Sequence, residues 1–240
     1  IGGNVAGGGV TGTVEFFDGT ATIGGGIDGG NTAGNTSVIR IGDGTTTPLV
    51  NVSGGNFEVA LSGDGSLDFQ SGTVNLTTNN FITGQGVGSV ANVTIGGVGN
   101  AAQAILNLTA TGGAGDWNTN SGNGIVSVLA NGVINVGNDI NLANSTDADA
   151  GLQLTIDGGT VNVGTGSPGV GDIDFRTNGP KDQINLVSGL LNGNGGTINL
   201  RDSADTAFSF TGGTLRNFSN FTNANLSQTG ATSVLDIGAD

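Results

Sequence analysis

The chain contains no Cys, His, Met or Tyr, a single Trp and three Pro among its 240 residues. Without Cys there is no disulfide framework, no thiolate nucleophile and no Cys-ligated zinc or iron–sulfur site. Without His the commonest general base, the Ser-His-Asp triad and imidazole metal ligation are all missing. Charge is scarce as well. Charged residues make up 10% of the chain, against roughly a quarter in an ordinary domain. The five basic residues are Arg40, Arg176, Lys181, Arg201 and Arg216; nineteen acids leave a net charge of −14. Nucleic acid requires a basic surface, so it is not an expected partner. Adhesion to an anionic membrane is disfavoured for the same reason. No apolar run approaches the roughly 18 residues of a membrane-crossing helix, so no membrane insertion is expected. Ile1 is neither an initiator Met nor the start of a signal peptide, which reads as a processed or excised chain.

What is present is glycine, 49 residues of it. It has no three-residue period and comes with little Pro, so a collagen helix is excluded. Roughly a quarter of the chain is Val, Ile, Leu or Phe, enough to bury a core. Helix signals are nearly absent, because Gly or Pro interrupts almost every stretch of ten and each interior Gly costs a helix about 1 kcal/mol. Asn100–Leu108, with three Ala, is the one helical alternative, and its Ala104–Leu108 part reads equally well as a strand. Short alternating runs recur between Gly, Asn and Asp clusters: Val38–Ile41, Val50–Val52, Phe57–Leu61, Val93–Ile95, Ile125–Val128, Val133–Val136, Leu152–Ile156 and Ile184–Leu186. Each places two or three apolar residues on one face and mostly Asn, Thr, Ser or Asp on the other.

A repeat underlies these runs. One copy is Leu67, Phe69, Gly72-Thr73, Val74, Leu76; another is Leu154, Ile156, Gly159-Thr160, Val161, Val163; a third is Phe208, Phe210, Gly213-Thr214, Leu215, Phe218. Two weaker copies are Val50, Val52, Gly55-Asn56, Phe57, Val59 and Leu191, Gly193, Gly196-Thr197, Ile198, Leu200. The Gly between the two short strands can be a tight hairpin or an arc. Hairpins would have to assemble a large sandwich or barrel. An arc lets every short strand pair with its counterpart one coil away, stacking like residues in ladders. The expected fold is therefore all-β, a parallel β-solenoid or β-helix of irregular coil length. It forms one domain over residues 1–240, with a Gly/Asn-rich loop at 112–124 carrying Trp117. About 20 residues per coil would give about 12 coils and a stack about 55 Å long.

The segments Leu154-Thr-Ile156-Asp-Gly-Gly-Thr160-Val161-Asn-Val163 and Phe208-Ser-Phe210-Thr-Gly-Gly-Thr214-Leu215 resemble secreted bacterial proteins with autotransporter-associated β-strand repeats. The texture is also similar to that of the large Gly/Asn/Thr-rich surface proteins of planctomycete-like bacteria. The resemblance implies a right-handed β-helix displayed outside the cell. It brings no catalytic residues to this chain.

The candidate chemistry rests on acids. Glu occurs only at Glu15 and Glu58. Glycosidic cleavage needs two carboxylates about 5 to 9.5 Å apart across a cleft. Asp172 and Asp174 alternate onto one strand face, as do Asp147 and Asp149, and Arg176 and Lys181 lie near the first pair. A solvated strand edge or corner, where Asp is a common turn former, is the favoured reading of both pairs. Calcium takes several oxygen ligands, and Asn144, Asp147 and Asp149 echo a calcium loop; Asp64 with Asp68, and Asp202 with Asp205, are thinner candidates. Trp117 is a sugar-stacking or interface residue if its loop is exposed, or a cap over the core. The Thr-x-Thr pairs at Thr11, Thr20 and Thr109 are too irregular for an ice-binding array. The sequence expectation is a non-enzymatic extracellular or cell-surface structural protein, joined head to tail with copies of itself. It needs no cofactor, with calcium optional. The rival is a secreted β-helix that binds or degrades an extracellular polysaccharide.

Overall fold

The computed structural model describes residues 9–109, 115–142, 150–166, 171–175, 182–199, 207–222 and 226–236. Its described residues contain strands and no helix. The first coil comprises β1 (Thr11–Phe16), β2 (Thr20–Ile23) and β3 (Ile27–Asp28). The second has β4 (Thr36–Ile41), β5 (Leu49–Val52) and β6 (Phe57–Glu58). The third has β7 (Asp64–Phe69), β8 (Gly72–Leu76) and β9 (Phe81–Ile82). Then follow β10 (Val90–Ile95), β11 (Ala104–Leu108) and β12 (Trp117–Asn118); next come β13 (Asn123–Leu129), β14 (Gly132–Val136) and β15 (Ile140–Asn141). The sixth coil is β16 (Gly151–Asp157), β17 (Thr160–Val163) and β18 (Ile173–Asp174), the seventh β19 (Gln183–Leu186), β20 (Leu190–Asn192) and β21 (Thr197–Asn199). The stack ends with β22 (Ala207–Arg216), β23 (Asn220–Thr222) and β24 (Leu226–Asp236).

Among the described residues every pair of strands is parallel, and each strand bonds the equivalent strand one coil away. The arc, not the hairpin, is the right reading of the Gly bends, and the molecule is a parallel β-solenoid. Three strands per coil give three faces. β1, β4, β7, β10, β13, β16, β19 and the first half of β22 form the first. β2, β5, β8, β11, β14, β17, β20 and the second half of β22 form the second. The short strands from β3 to β23 form the third. β22 runs around the corner that earlier coils turn with a bend. Ala104–Leu108 is strand β11, so the helical alternative falls.

Three expectations need correction. The coils are wider and fewer than expected: counting β24, the first face carries nine rungs among the described residues, a stack of about 40 Å at one strand spacing per rung. Coil length also varies twofold, since Leu226 pairs with Phe208 whereas Trp117 pairs with Phe81. The five repeat copies are not one repeat. The three strong copies turn the corner from first to second face; the two weaker ones turn from second to third, since Val50 pairs with Val74 and Phe57 with Phe81. Gly-Thr and Gly-Asn look alike in sequence because both corners need a small residue before an outward polar one. Finally, of the loop expected at 112–124, residues 112–114 lie outside the described residues, and within the rest Trp117–Asn118 is a rung of the third face.

The corners show why Gly is abundant. Gly42 has φ +67°, and a Cβ there would lie 2.3 Å from the Ser71 carbonyl oxygen of the next coil. The equivalent corner of the fifth coil uses Asn131 at φ 64°, the non-Gly residue that best tolerates this region.

The core follows from strand alternation. Leu67, Phe69, Leu154, Ile156, Val161, Val163, Ile198, Phe208 and Phe210 were expected to face inward, and all are at most 1% exposed; Leu200, the tenth, lies outside the described residues. Inward residues stack as columns, for example Val50, Val74, Leu106, Ile134, Val161 and Leu191 on the second face. On the third face Phe57, Phe81 and Trp117 follow one another, with ring centroids 5.6 and 5.8 Å apart.

Candidate functional site

The outward face of the second sheet carries an amide ladder. Asn75 donates to Asn51 at 2.9 Å, Asn107 to Asn75 at 2.9 Å and Asn135 to Asn107 at 2.8 Å. Asn162 then donates to Asn135 at 2.8 Å and Asn192 to Asn162 at 3.0 Å. An amide both donates and accepts, so one residue type repeated in register satisfies itself. Arg216 Nε and Asn217 Nδ2 donate to Asn192 Oδ1 at the end of the row, at 3.2 and 3.0 Å. The expectation that Asn at repeated offsets stacks is met here.

A second column turns the corner into the third face, and it holds the acids. Asn56 Oδ1 accepts the main-chain N–H of Asn80, and Asn80 Oδ1 that of Asp116. Asp116 accepts from the N–H of Asp139 (3.2 Å), Asp139 from Asp172 (2.9 Å) and Asp172 from Thr197 (2.6 Å). Each side chain thus caps the same position one coil on. Asn138 Nδ2 also donates to Asp116, at 2.7 Å, and Asn199 Nδ2 to Asp174, at 2.7 Å. Burial raises the Asp139 carboxyl above its ordinary range. The N–H of Asp172 opposes that shift, and the negative charges of Asp116, Asp172 and Asp174 add to it.

This column decides how Asp172 and Asp174 are read. They flank inward Ile173 and face outward together, as expected, but one oxygen of each accepts a coil-to-coil hydrogen bond. Arg176 and Lys181, their expected basic neighbours, lie outside the described residues. So do Asn144, Asp147 and Asp149 of the calcium loop, and Asp202 and Asp205. Asp64 and Asp68 stand four residues apart on β7, about 13 Å along a strand, too far to share one ion. Asp64 accepts from the N–H of Val90 at 3.1 Å and Asp68 from Gln70 Nε2. Among the described residues no group of three or more Asp or Glu is arranged to hold a metal ion.

Trp117 is fully buried. Its indole N–H donates to Thr83 Oγ1 at 3.1 Å, and Thr83 shares a 2.8 Å hydrogen bond with Thr119. It is a core residue, neither a sugar platform nor an exposed interface anchor. The strand that holds it, Trp117–Asn118, is too short to carry a sequence signal of its own.

Two carboxylates escaped the sequence reading. Glu58 is 7% exposed; burial raises its carboxyl, the 2.9 Å hydrogen bond from Asn56 Nδ2 opposes this, and Asp28 one coil away adds to it. Asp182 is fully buried at the entry to β19.

A concave feature lies at the mouth of the first coil. Val14, Phe16, Ile23 and Ile27 surround a cavity of about 570 Å³. These side chains belong to the inward columns, yet here they are only half-buried. No protein-family model, no curated protein and no solved structure matches this chain.

Proposed function

We propose that this chain is an extracellular structural subunit, a β-solenoid that stacks head to tail on copies of itself to build a fibre, sheath or surface layer. The observation that carries the reading is the state of the two outermost described rungs. At one, the inward Phe16, Ile23 and Ile27 remain half-exposed around the open mouth. At the other, Leu235 pairs in register with the buried Leu215, yet it is 40% exposed. Among the described residues, both outermost rungs leave inward side chains exposed and strand edges that a further parallel rung would cover. Contact between opposite ends is heterologous, and it propagates as a filament instead of closing as a dimer. The net charge of −14 opposes lateral clumping of the resulting rods.

The test is sedimentation and negative-stain microscopy of the chain at high concentration, with and without calcium. Filaments about as wide as one solenoid are expected. Leu235→Lys, or Phe16→Lys at the other end, should abolish them while leaving the far-ultraviolet circular dichroism unchanged. A monodisperse monomer in both conditions refutes the proposal.

A further inference from the structure

The second position of the first-face strands forms a column of its own. Gly12, Ser37, Gly65, Ala91, Gly124 and Leu152 stack in register, and Asp182 extends the column past Leu152, because Gln153 pairs with Gln183. The six residues before it are uncharged. Asp182 precedes outward Gln183 and inward Ile184, so the alternation turns its carboxylate inward. It is fully buried. One oxygen, Oδ1, accepts the N–H of Leu152 at 3.0 Å. The other, Oδ2, is buried and has no hydrogen-bond partner among the described residues. A buried carboxyl with one unsatisfied oxygen is tolerable neutral and costly ionised.

We propose that Asp182 is a proton-operated latch between the sixth and seventh coils, closed when its carboxyl is protonated and loosened when it ionises. The carboxyl takes its proton from solvent and returns it there; the only bond made or broken is O–H. Leu152 N–H satisfies Oδ1, so the penalty of ionisation falls on Oδ2. No ionisable residue lies on β16 opposite it, within Gly151–Leu154, or on β19, within Gln183–Leu186. The ionisable residues before it in sequence, Arg176 and Lys181, and those that precede β22 in sequence, Arg201, Asp202 and Asp205, lie outside the described residues.

Burial pushes this carboxyl up to about 7 from its ordinary 3.8, against the lowering effect of the Leu152 N–H. A raised carboxyl binds an extra proton in the folded state. Its contribution to stability is complete below the ordinary value and is lost as pH rises towards 7. At about tenfold per pH unit, the folding equilibrium falls on the order of 100-fold between pH 5 and pH 8.

The test compares the native chain with Asp182→Asn by urea unfolding at pH 5 and pH 8. Asp139 and Glu58 titrate in both proteins, so the ratio of their folding constants isolates Asp182. The native chain should lose about 100-fold relative to the variant across that interval. Equal pH dependences overturn the proposal. Carboxyl carbon-13 NMR of the folded native chain gives a second reading that does not require the variant to fold. A midpoint for Asp182 near 7 supports the latch, and one near 4, as a charge partner would produce, overturns it.

Discussion

Phe81 sits between two aromatic rings in the third-face column, fully buried, with Phe57 on one side and Trp117 on the other. Replacing it with Ala removes the largest side chain that this rung sends inward. Truncating a buried Phe costs about 3 to 5 kcal/mol through lost transfer energy and the cavity left behind. The two ring contacts, one edge-on at an interplanar angle of 76° and one tilted at 54°, place the expected loss in the upper part of that range, about 4 kcal/mol. The chain's single Trp makes the assay direct, because all indole emission comes from the neighbouring rung. Urea unfolding followed by Trp117 emission and by circular dichroism should give coincident transitions, with Phe81→Ala shifted to lower urea and its folded emission moved to the red. Val87→Ala is the matched control, since Val87 is 74% exposed and its truncation should change little. A loss below about 1.5 kcal/mol with unchanged emission would show that the column is not packed as described, since no buried Phe is removed that cheaply.

Asn107→Ala leaves Asn75 Oδ1 without its donor and Asn135 Nδ2 without its acceptor, in a half-buried row. A loss of about 1 to 2 kcal/mol by urea unfolding is expected; Asn107→Asp keeps the acceptor but loses the donor, so it should fall between Ala and wild type. Gly42→Ala combines a positive φ with a Cβ 2.3 Å from the Ser71 carbonyl oxygen, and should cost more than the roughly 1 to 3 kcal/mol of backbone strain alone; a neutral result in thermal melts would contradict the corner geometry. Asp139→Asn should raise stability at pH 7 relative to pH 4.5. The native carboxyl is raised by burial and by its acidic neighbours, so its contribution declines as pH climbs above the ordinary range. An unchanged pH profile would show that those charges do not interact.

The strand class and the inward residues were readable because they depend on a local signal. Alternation with period two places Leu154 and Ile156, or Val161 and Val163, on one side whatever the coil does beyond them. Which face a strand belongs to depends instead on the chain length between corners, and that length varies with surface segments that leave no periodic trace. Hence Val50 and Leu67 looked equivalent although they lie on different faces, and the number of coils was overestimated. The segment around Trp117 looked like a loop for a related reason. A two-residue strand is too short to show alternation, and flanking Gly and Asn imitate a loop. The column of Asn80, Asp116, Asp139 and Asp172 was invisible as a site because its members are unevenly spaced in sequence and meet only through register. Asp182 was hidden by its neighbours Lys181 and Gln183, which make the segment look like exposed surface.

Register also accounts for the scarcity of charge. In a parallel in-register stack each outward side chain lies one strand spacing, about 4.8 Å, from its counterpart in the next coil. A repeated charge would therefore face itself along the whole column, and like charges directly opposite destabilise a sheet. The described surface answers this in three ways. It uses amides that satisfy one another, as from Asn51 to Asn192. It alternates sign, as where Arg40 bonds Glu15 at 2.7 Å and pairs in register with Asp68. Where acids do stack, from Asp116 to Asp172, it directs a main-chain N–H at each carboxylate so that every charge is met by a dipole before the next charge arrives. A column can hold only as many carboxylates as it has such donors. Adding one without a donor, for example by Asn135→Asp together with Asn107→Asp in the amide ladder, should therefore destabilise the chain by more than the sum of the single changes. Neighbouring positions in one column share a repulsion that neither single variant contains. A double-mutant cycle by urea unfolding at pH 7 measures that excess, and at pH 3, where both carboxyls are protonated, it should largely disappear. Strict additivity at pH 7 would mean that something other than register keeps this surface neutral.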